Sequence, residues 1–361
     1  MTVQAVSAAG TSIWLDDLSR AKITSTEAHA LPARIKNSGV VGVTTNPSIF
    51  GSAISKSDLY RNDILQNKDK SIEEIITKLT TDDVREACDL FHNTFKASNE
   101  IDGRISLEVD PRFAHDAMAT IKQGKQLWEI VDRKNLLIKV PATVEGLPAV
   151  TELIAQGISV NITLIFSLDR YKKVLDAFAA GLEKRVNASQ EIGSIHSVAS
   201  FFVSRIDAEI DKQLGDKSEL KGLAAIANAV MAYEVFLEFE KSARWQKLLS
   251  HGGNLQRPLW ASTGVKDPSY DQTRYVMSLI APNIINTMPE ATLNAVKASG
   301  VFSGETITPN IKNAKINLAK IALAGIDITK VTEALEIDGL AKFEAAWLDL
   351  MSSVKSVISG S

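Results

Sequence analysis

Short apolar runs alternate along this chain with longer stretches whose apolar residues recur every three or four positions. That change of period, repeated, marks βα units feeding a parallel sheet. The short runs place strands at Ser12–Asp16, Val40–Thr44, Ile105–Val109, Leu136–Val140, Ile158–Thr163, Ser197–Val203, Pro258–Ser262 and Ile284–Thr287. Each ends in or next to polar or small residues, as strands leading into functional loops do. Between them, Val84, Ala87, Cys88, Phe91 and Phe95 fall on one buried helical stripe. Leu340, Phe343, Trp347, Leu350 and Val354 form a second stripe near the C-terminus. Lys342, Glu344 and Asp349 interrupt that stretch, which makes it a helix packed on the body and not a membrane anchor.

Eight strands with helices between them predict an α/β fold, a (β/α)8 TIM barrel with additional helices. Two gaps are too long for one helix each: about sixty residues from Asn46 to Ile105, and about fifty from Arg205 to Pro258. Both are expected to hold extra helices. With no Pro/Gly/Ser-rich linker, compositional break or repeat, the expected unit is one domain over residues 1–361, with a helical extension over about 305–361. That extension has two available uses, covering the barrel or joining two copies as a homodimer.

Composition narrows the function classes. Of 361 residues, 45% are hydrophobic and 23% charged, which fits an ordinary globular core. A net charge of -3 gives no basis for nucleic acid or an anionic membrane as partner. No basic stretch followed by a long apolar run opens the chain, so a soluble, cytoplasmic protein is expected. Cys88 is the only cysteine, which excludes an intrachain disulfide and a cysteine-built zinc site. The histidines at 29, 92, 115, 196 and 251 are scattered, and the glycines form neither a dinucleotide-binding nor a P-loop pattern. Neither a metal nor another cofactor is expected.

Barrel enzymes gather their chemistry where the strands end and the βα loops converge. The strand ends here supply Asp16, Asn46, Glu108, Lys139, Asn161 with Thr163, Ser200 with Arg205, and Ser262 with Lys266. Lys139 lies in Leu136-Leu137-Ile138-Lys139-Val140-Pro141, a run apolar enough to be buried. Burying an unpaired ammonium is costly, which favours the neutral amine, and a neutral amine can attack a ketone to form an imine. The competing use of such a lysine is to snorkel to the barrel rim or to form a structural ion pair. Asp16 and Glu108 are candidates for the proton transfers that imine chemistry needs. Asn46, Asn161, Thr163 and Ser200 offer hydrogen bonds to sugar hydroxyls or a water; taken singly, such residues are more often turn or capping groups. Arg205 and Lys266 are the cations available for a phosphate.

Four segments resemble the transaldolase family in sequence and order: Gly42-Val43-Thr44-Thr45-Asn46-Pro47-Ser48, Ser106-Leu107-Glu108-Val109-Asp110, Leu137-Ile138-Lys139-Val140-Pro141-Ala142-Thr143 and Val160-Asn161-Ile162-Thr163-Leu164-Ile165-Phe166-Ser167. The likeness runs from about Ile13 to Asn286. Leu259-Trp260-Ala261-Ser262-Thr263-Gly264-Val265-Lys266 and Asn286-Thr287-Met288-Pro289-Glu290 resemble its longer-chain bacterial branch. The resemblance implies a class I aldolase barrel with its Schiff-base lysine on the fourth strand, where Lys139 independently falls. It implies transfer of a dihydroxyacetone unit from sedoheptulose 7-phosphate to glyceraldehyde 3-phosphate, giving erythrose 4-phosphate and fructose 6-phosphate, in the non-oxidative pentose phosphate pathway.

By similarity Asp16 is the acid/base, and Glu108 with Thr163 positions a water. Asn46, Asn161 and Ser200 hold hydroxyls, Phe202 lines the pocket, and Arg205 binds phosphate. The departure is the second phosphate cation: many members carry arginine after the seventh strand, whereas here the match is Lys266. Two other readings compete. A fructose-6-phosphate aldolase-like activity would release free dihydroxyacetone, but that subgroup typically has glutamine and tyrosine where this chain has Glu108 and Phe202. A catalytically dead scaffold would have lost the lysine or the acids, and all are present.

Overall fold

Eight parallel strands, β1 (Thr11–Leu15), β2 (Val40–Val43), β3 (Arg104–Glu108), β4 (Leu136–Pro141), β5 (Val160–Ile165), β6 (Ser197–Phe202), β7 (Arg257–Ala261) and β8 (Ile284–Met288), close into a barrel in chain order. The computed structural model describes residues 2–215 and 219–360. Closure is made by β8 on β1, with Thr11 opposite Ile284 and Leu15 opposite Met288. Seven strands lie within one residue of the ranges expected from the apolar runs, and β5 is displaced towards its C-terminal end. The displacement has a local cause. Pairing with β6 shifts register between Ile162 and Ile165, and Leu164 takes a positive φ of 61°, so a bulge carries the strand beyond Thr163.

The two long gaps hold extra helices, as their length requires. After β2 come α1 (Pro47–Ser55), a short turn of helix and Arg61–Gln66, then α2 (Ile72–Leu90) and His92–Ala97. The stripe from Val84 to Phe95 is buried throughout but is not one helix: α2 stops at Leu90 and the next helix starts at His92. Phe91 is the joint, its amide shared between the carbonyls of Ala87 and Asp89. Ala117–Val131 (α3) links β3 to β4. Between β6 and β7 lie α4 (Ser204–Leu214), Ala224–Lys241 and Ala243–Ser250.

Beyond the barrel, Ile311–Leu323 packs on Ala224–Lys241, and the 32-residue α5 (Ile328–Ser359) crosses the C-terminal mouth. Asp327 caps α5 by accepting the amides of Thr329 and Lys330. Its buried stripe, Leu340, Phe343, Trp347, Leu350 and Val354, packs against α1, α2 and α4. Gly339 permits the close approach: a Cβ there would stand 3.1 Å from Leu164 and 3.4 Å from the Arg205 guanidinium. Arg170 pairs with Glu336 at 3.0 Å and pins the helix to the barrel wall.

The opposite end is closed by side chains. Asp102 accepts from Ser12 Oγ at 2.7 Å and Trp14 Nε1 at 3.2 Å, and pairs with Arg257 at 3.0 Å. Gly42 leaves room for the Trp14 indole, which a Cβ there would meet at 2.4 Å. No helix among the described residues is long and apolar enough to cross a membrane.

Candidate active site

Under α5 the strand ends converge on Lys139. Its Nζ donates to the Thr45 carbonyl at 2.9 Å and pairs with Glu108 Oε2 at 3.1 Å, with both side chains at most 5% exposed. The pairing follows from register, because Lys139 on β4 stands directly opposite Glu108 on β3. The Phe343 ring lies over the amine, 5.4 Å from Nζ to its centre. On β1 and the loop after it, Asp16 accepts from Thr44 Oγ1 at 2.7 Å, and Thr44 in turn is bonded to Thr287 Oγ1 at 2.7 Å. A donor chain from the ends of the two strands flanking β1 thus fixes the carboxylate.

Asp16, Asn46, Lys139, Thr163, Ser200, Phe202, Arg205, Ser262 and Lys266 wall one cavity of about 160 Å³. Two of the residues expected at the site do not reach this wall. Asn161 lies one layer below, donating to Ser106 Oγ at 2.9 Å and accepting from Ser200 Oγ at 2.7 Å, so it holds Ser200 in place. Glu108 stands behind Lys139, with Oε1 buried and unpartnered. Thr163 Oγ1 is also buried without a partner. Asn46 has two uses, since its Oδ1 caps α1 through the Ile49 amide while the residue lines the cavity. Ser262 takes a positive φ of 54° and meets Ser204 Oγ at 3.1 Å.

Burial dominates the electrostatics. It pushes the Glu108 carboxyl up to about 7, against the pull of Lys139. Burial likewise raises Asp16, although Lys139 and the Thr44 hydrogen bond oppose it. It weakens the proton affinity of Arg205 below the usual range, with Asp338 on α5 pulling the other way. Arg205 lies over the Phe202 ring at 5.3 Å, and its Nη1 is buried without a partner. Phe202 is itself held against Phe166 at 5.1 Å. The geometry can therefore present an amine, the Asp16 carboxyl and a half-open guanidinium to one small ligand, with the Glu108 carboxyl paired to the amine from behind.

Residues 13–354 match the model of the transaldolase/fructose-6-phosphate aldolase family. The chain belongs to this family. It is 50% identical to "Transaldolase 1" of Streptomyces avermitilis over 97% of this chain and 94% of that protein. It is 49% identical to the transaldolase of Mycolicibacterium smegmatis over 97% and 96% of the two chains, and to that of Mycobacterium tuberculosis H37Rv over 98% and 96%.

Within this family frame, several residues around the site carry no sequence signal of their own. Phe343 and Trp347 read in the sequence only as core positions of a helix, since nothing local shows that the helix crosses the mouth. Thr44 and Thr287 sit inside the motif segments but gain their meaning from closure of the barrel. Other motif residues are structural: Asn286 donates to the Tyr275 carbonyl at 3.1 Å, and Glu290 is paired with Lys22 and Arg34. Among the described residues, no group of three or more His, Cys, Asp or Glu stands together as a metal site.

Proposed function

We infer that this chain is a transaldolase, moving a dihydroxyacetone unit between sugar phosphates through an imine on Lys139. The observation that carries the reading is Lys139 itself, buried between Glu108 and the Thr45 carbonyl beneath Phe343, on a cavity also walled by Asp16 and Arg205. The Nζ amine attacks the ketose carbonyl, and the carbinolamine loses its oxygen as water to give a protonated imine. Asp16 takes the proton of the hydroxyl two carbons away, the carbon–carbon bond breaks, and its electron pair collects in the imine as an enamine. The aldose phosphate leaves; a second aldose accepts the enamine carbon, and the steps reverse.

Glu108 and Thr163, each with an unpartnered oxygen, hold the water used in forming and hydrolysing the imine. Asn46, Ser200 and Ser262 take sugar hydroxyls, with Asn161 fixing Ser200. Arg205 and Lys266 hold the phosphate, and Phe202 keeps the remaining wall dry. The barrel and its C-terminal helices form one domain in this reading. The protein works in the cytoplasm, and the exposed Ile337 and Leu348 of α5 support a homodimer that light scattering would detect.

Borohydride with fructose 6-phosphate is expected to inactivate the protein and leave one reduced three-carbon adduct on Lys139. An adduct mapped to another lysine would overturn the assignment. Fructose 6-phosphate alone should give little free dihydroxyacetone, and added erythrose 4-phosphate should yield sedoheptulose 7-phosphate. Steady release without an acceptor would instead mark an aldolase.

A further inference from the structure

Behind Lys139, away from the sugar cavity, lies a chamber of about 20 Å³ walled by Thr45, Asn46, Thr77, Glu108, Gln123 and Trp347 among others. Two of its walls bring a buried polar atom with no partner: Glu108 Oε1, an acceptor, and Trp347 Nε1, a donor. The other threonines facing it are committed, Thr45 to the Ser106 carbonyl and Thr80 to that of Ile76. A chamber needs roughly 10–15 Å³ to take one water, and a water needs polar partners to stay. This one has room for a single molecule, with one donor and one acceptor waiting. We propose that the chamber holds an ordered water that accepts from Trp347 Nε1 and donates to Glu108 Oε1, making Trp347 a positioning residue for the site's carboxyl.

The carboxylate oxygen has two lone pairs, so this water is additional to the one shared with Thr163. Thr77, Gln123 and Trp347 also wall an outer cavity of about 670 Å³ between α2 and α3. The water therefore sits on a side of Glu108 distinct from the sugar entrance, where a proton can pass while substrate fills the mouth. The charged groups acting on Glu108 are Lys139 on β4 and Asp16 on β1. The chamber walls from α1, α2, α3 and α5 supply no ionisable side chain; the outer cavity adds Lys70, Glu73, Glu74, Lys78, Asp82 and Lys122 with the paired Asp110 and Arg112. Hydrogen bonding to a carboxylate favours its charged form. Removing the Trp347 donor then raises the proton affinity of Glu108.

The test is a 13C NMR titration of protein labelled at the glutamate carboxyls, with the Glu108 signal assigned by Glu108→Gln. Trp347→Phe keeps a six-membered aromatic ring but removes the five-membered ring with its N–H, and its Glu108 midpoint should rise by about half a unit or more. Leu350→Val changes an apolar wall of the same chamber and should leave the midpoint in place. A high-resolution crystal structure of the unaltered protein should show a water within hydrogen-bond distance of both atoms. A dry chamber, an unmoved midpoint in Trp347→Phe, or equal shifts in both variants would each overturn the proposal. The proposal takes Glu108's role from the transaldolase reading, but these measurements need no turnover: failure to trap an imine on Lys139 would sink that reading and leave the water site standing or falling on its own result.

Discussion

At the scale of single residues, the site works by setting two carboxyls at unequal depth around one amine. In the proposed reaction Glu108 must be ionised to accept a proton from water, and burial pushes its carboxyl up from the ordinary range to about 7. Turnover should therefore fall as pH drops through about 7, where an ordinary glutamate would keep activity down to about 4.5; a kcat profile flat from pH 8 to 5 would remove Glu108 from that step. Asp16→Asn preserves the shape and the Thr44 contact but not the base. It should lower kcat by about 10²–10⁴ while borohydride still labels Lys139, because imine formation does not pass through Asp16. The shared placement of Lys139, Asp16, Arg205 and Thr163 on one cavity was legible in the sequence because each lies near or just beyond the C-terminal end of a strand, and those ends of a barrel share one mouth. Phe343, Trp347 and Thr287 were not, since their places around Lys139 and Glu108 come from helix docking and barrel closure, which leave no local pattern.

Among elements, the loops after β6 and β7 carry the two cations, and a loop can exchange one cation for another more readily than a strand can. Arg205 opens α4, half-buried and stacked on Phe202, whereas Lys266 is exposed on the loop after β7. Arg205→Ala and Lys266→Ala should each raise KM for phosphorylated substrates about ten- to a hundred-fold, from the loss of roughly 1.5–3 kcal/mol in a charge-assisted contact. The Arg205 effect should be the larger, because a buried fork loses more than a solvated point charge. An unchanged KM in the lysine variant would place the second cation elsewhere. The elements were nearly all foreseeable: buried parallel strands are near-continuous apolar runs, and gap length alone required the added helices. Two details were not. The helix break at Phe91 leaves the apolar spacing intact, and the β5 bulge at Leu164 involves no glycine or proline to announce it.

For the whole molecule, the two ends of the barrel have different work. The lower end is a plug in which Asp102 joins Ser12, Trp14 and Arg257, tying β1 and β7 to the turn before β3. Asp102→Ala leaves Arg257 without its counter-charge and should destabilise the fold by about 3 kcal/mol with kcat unchanged, measured by urea unfolding and steady-state assay. A variant equally stable but slower would contradict this division.

The upper end is roofed by α5, and the way in is a groove between α1 and the Phe343 edge, lined by Asp17, Ser48, Ser52 and Arg205. Asp16, Asn46, Arg205 and Phe343 border both this groove and the inner cavity, whereas Lys139, Thr163 and Ser200 border the inner one alone. Lys139, which must meet the carbonyl, borders only the inner cavity, whereas Arg205 also borders the groove, so the sugar phosphate enters carbonyl first with its charge trailing at the threshold. Once the chain is cut, the piece nearest the exit is the one bearing the phosphate, and it can leave without disturbing the three carbons held at the floor. The next aldose queues into the same slot. The order of arrival and departure is thus imposed by the shape of the corridor: last in, first out.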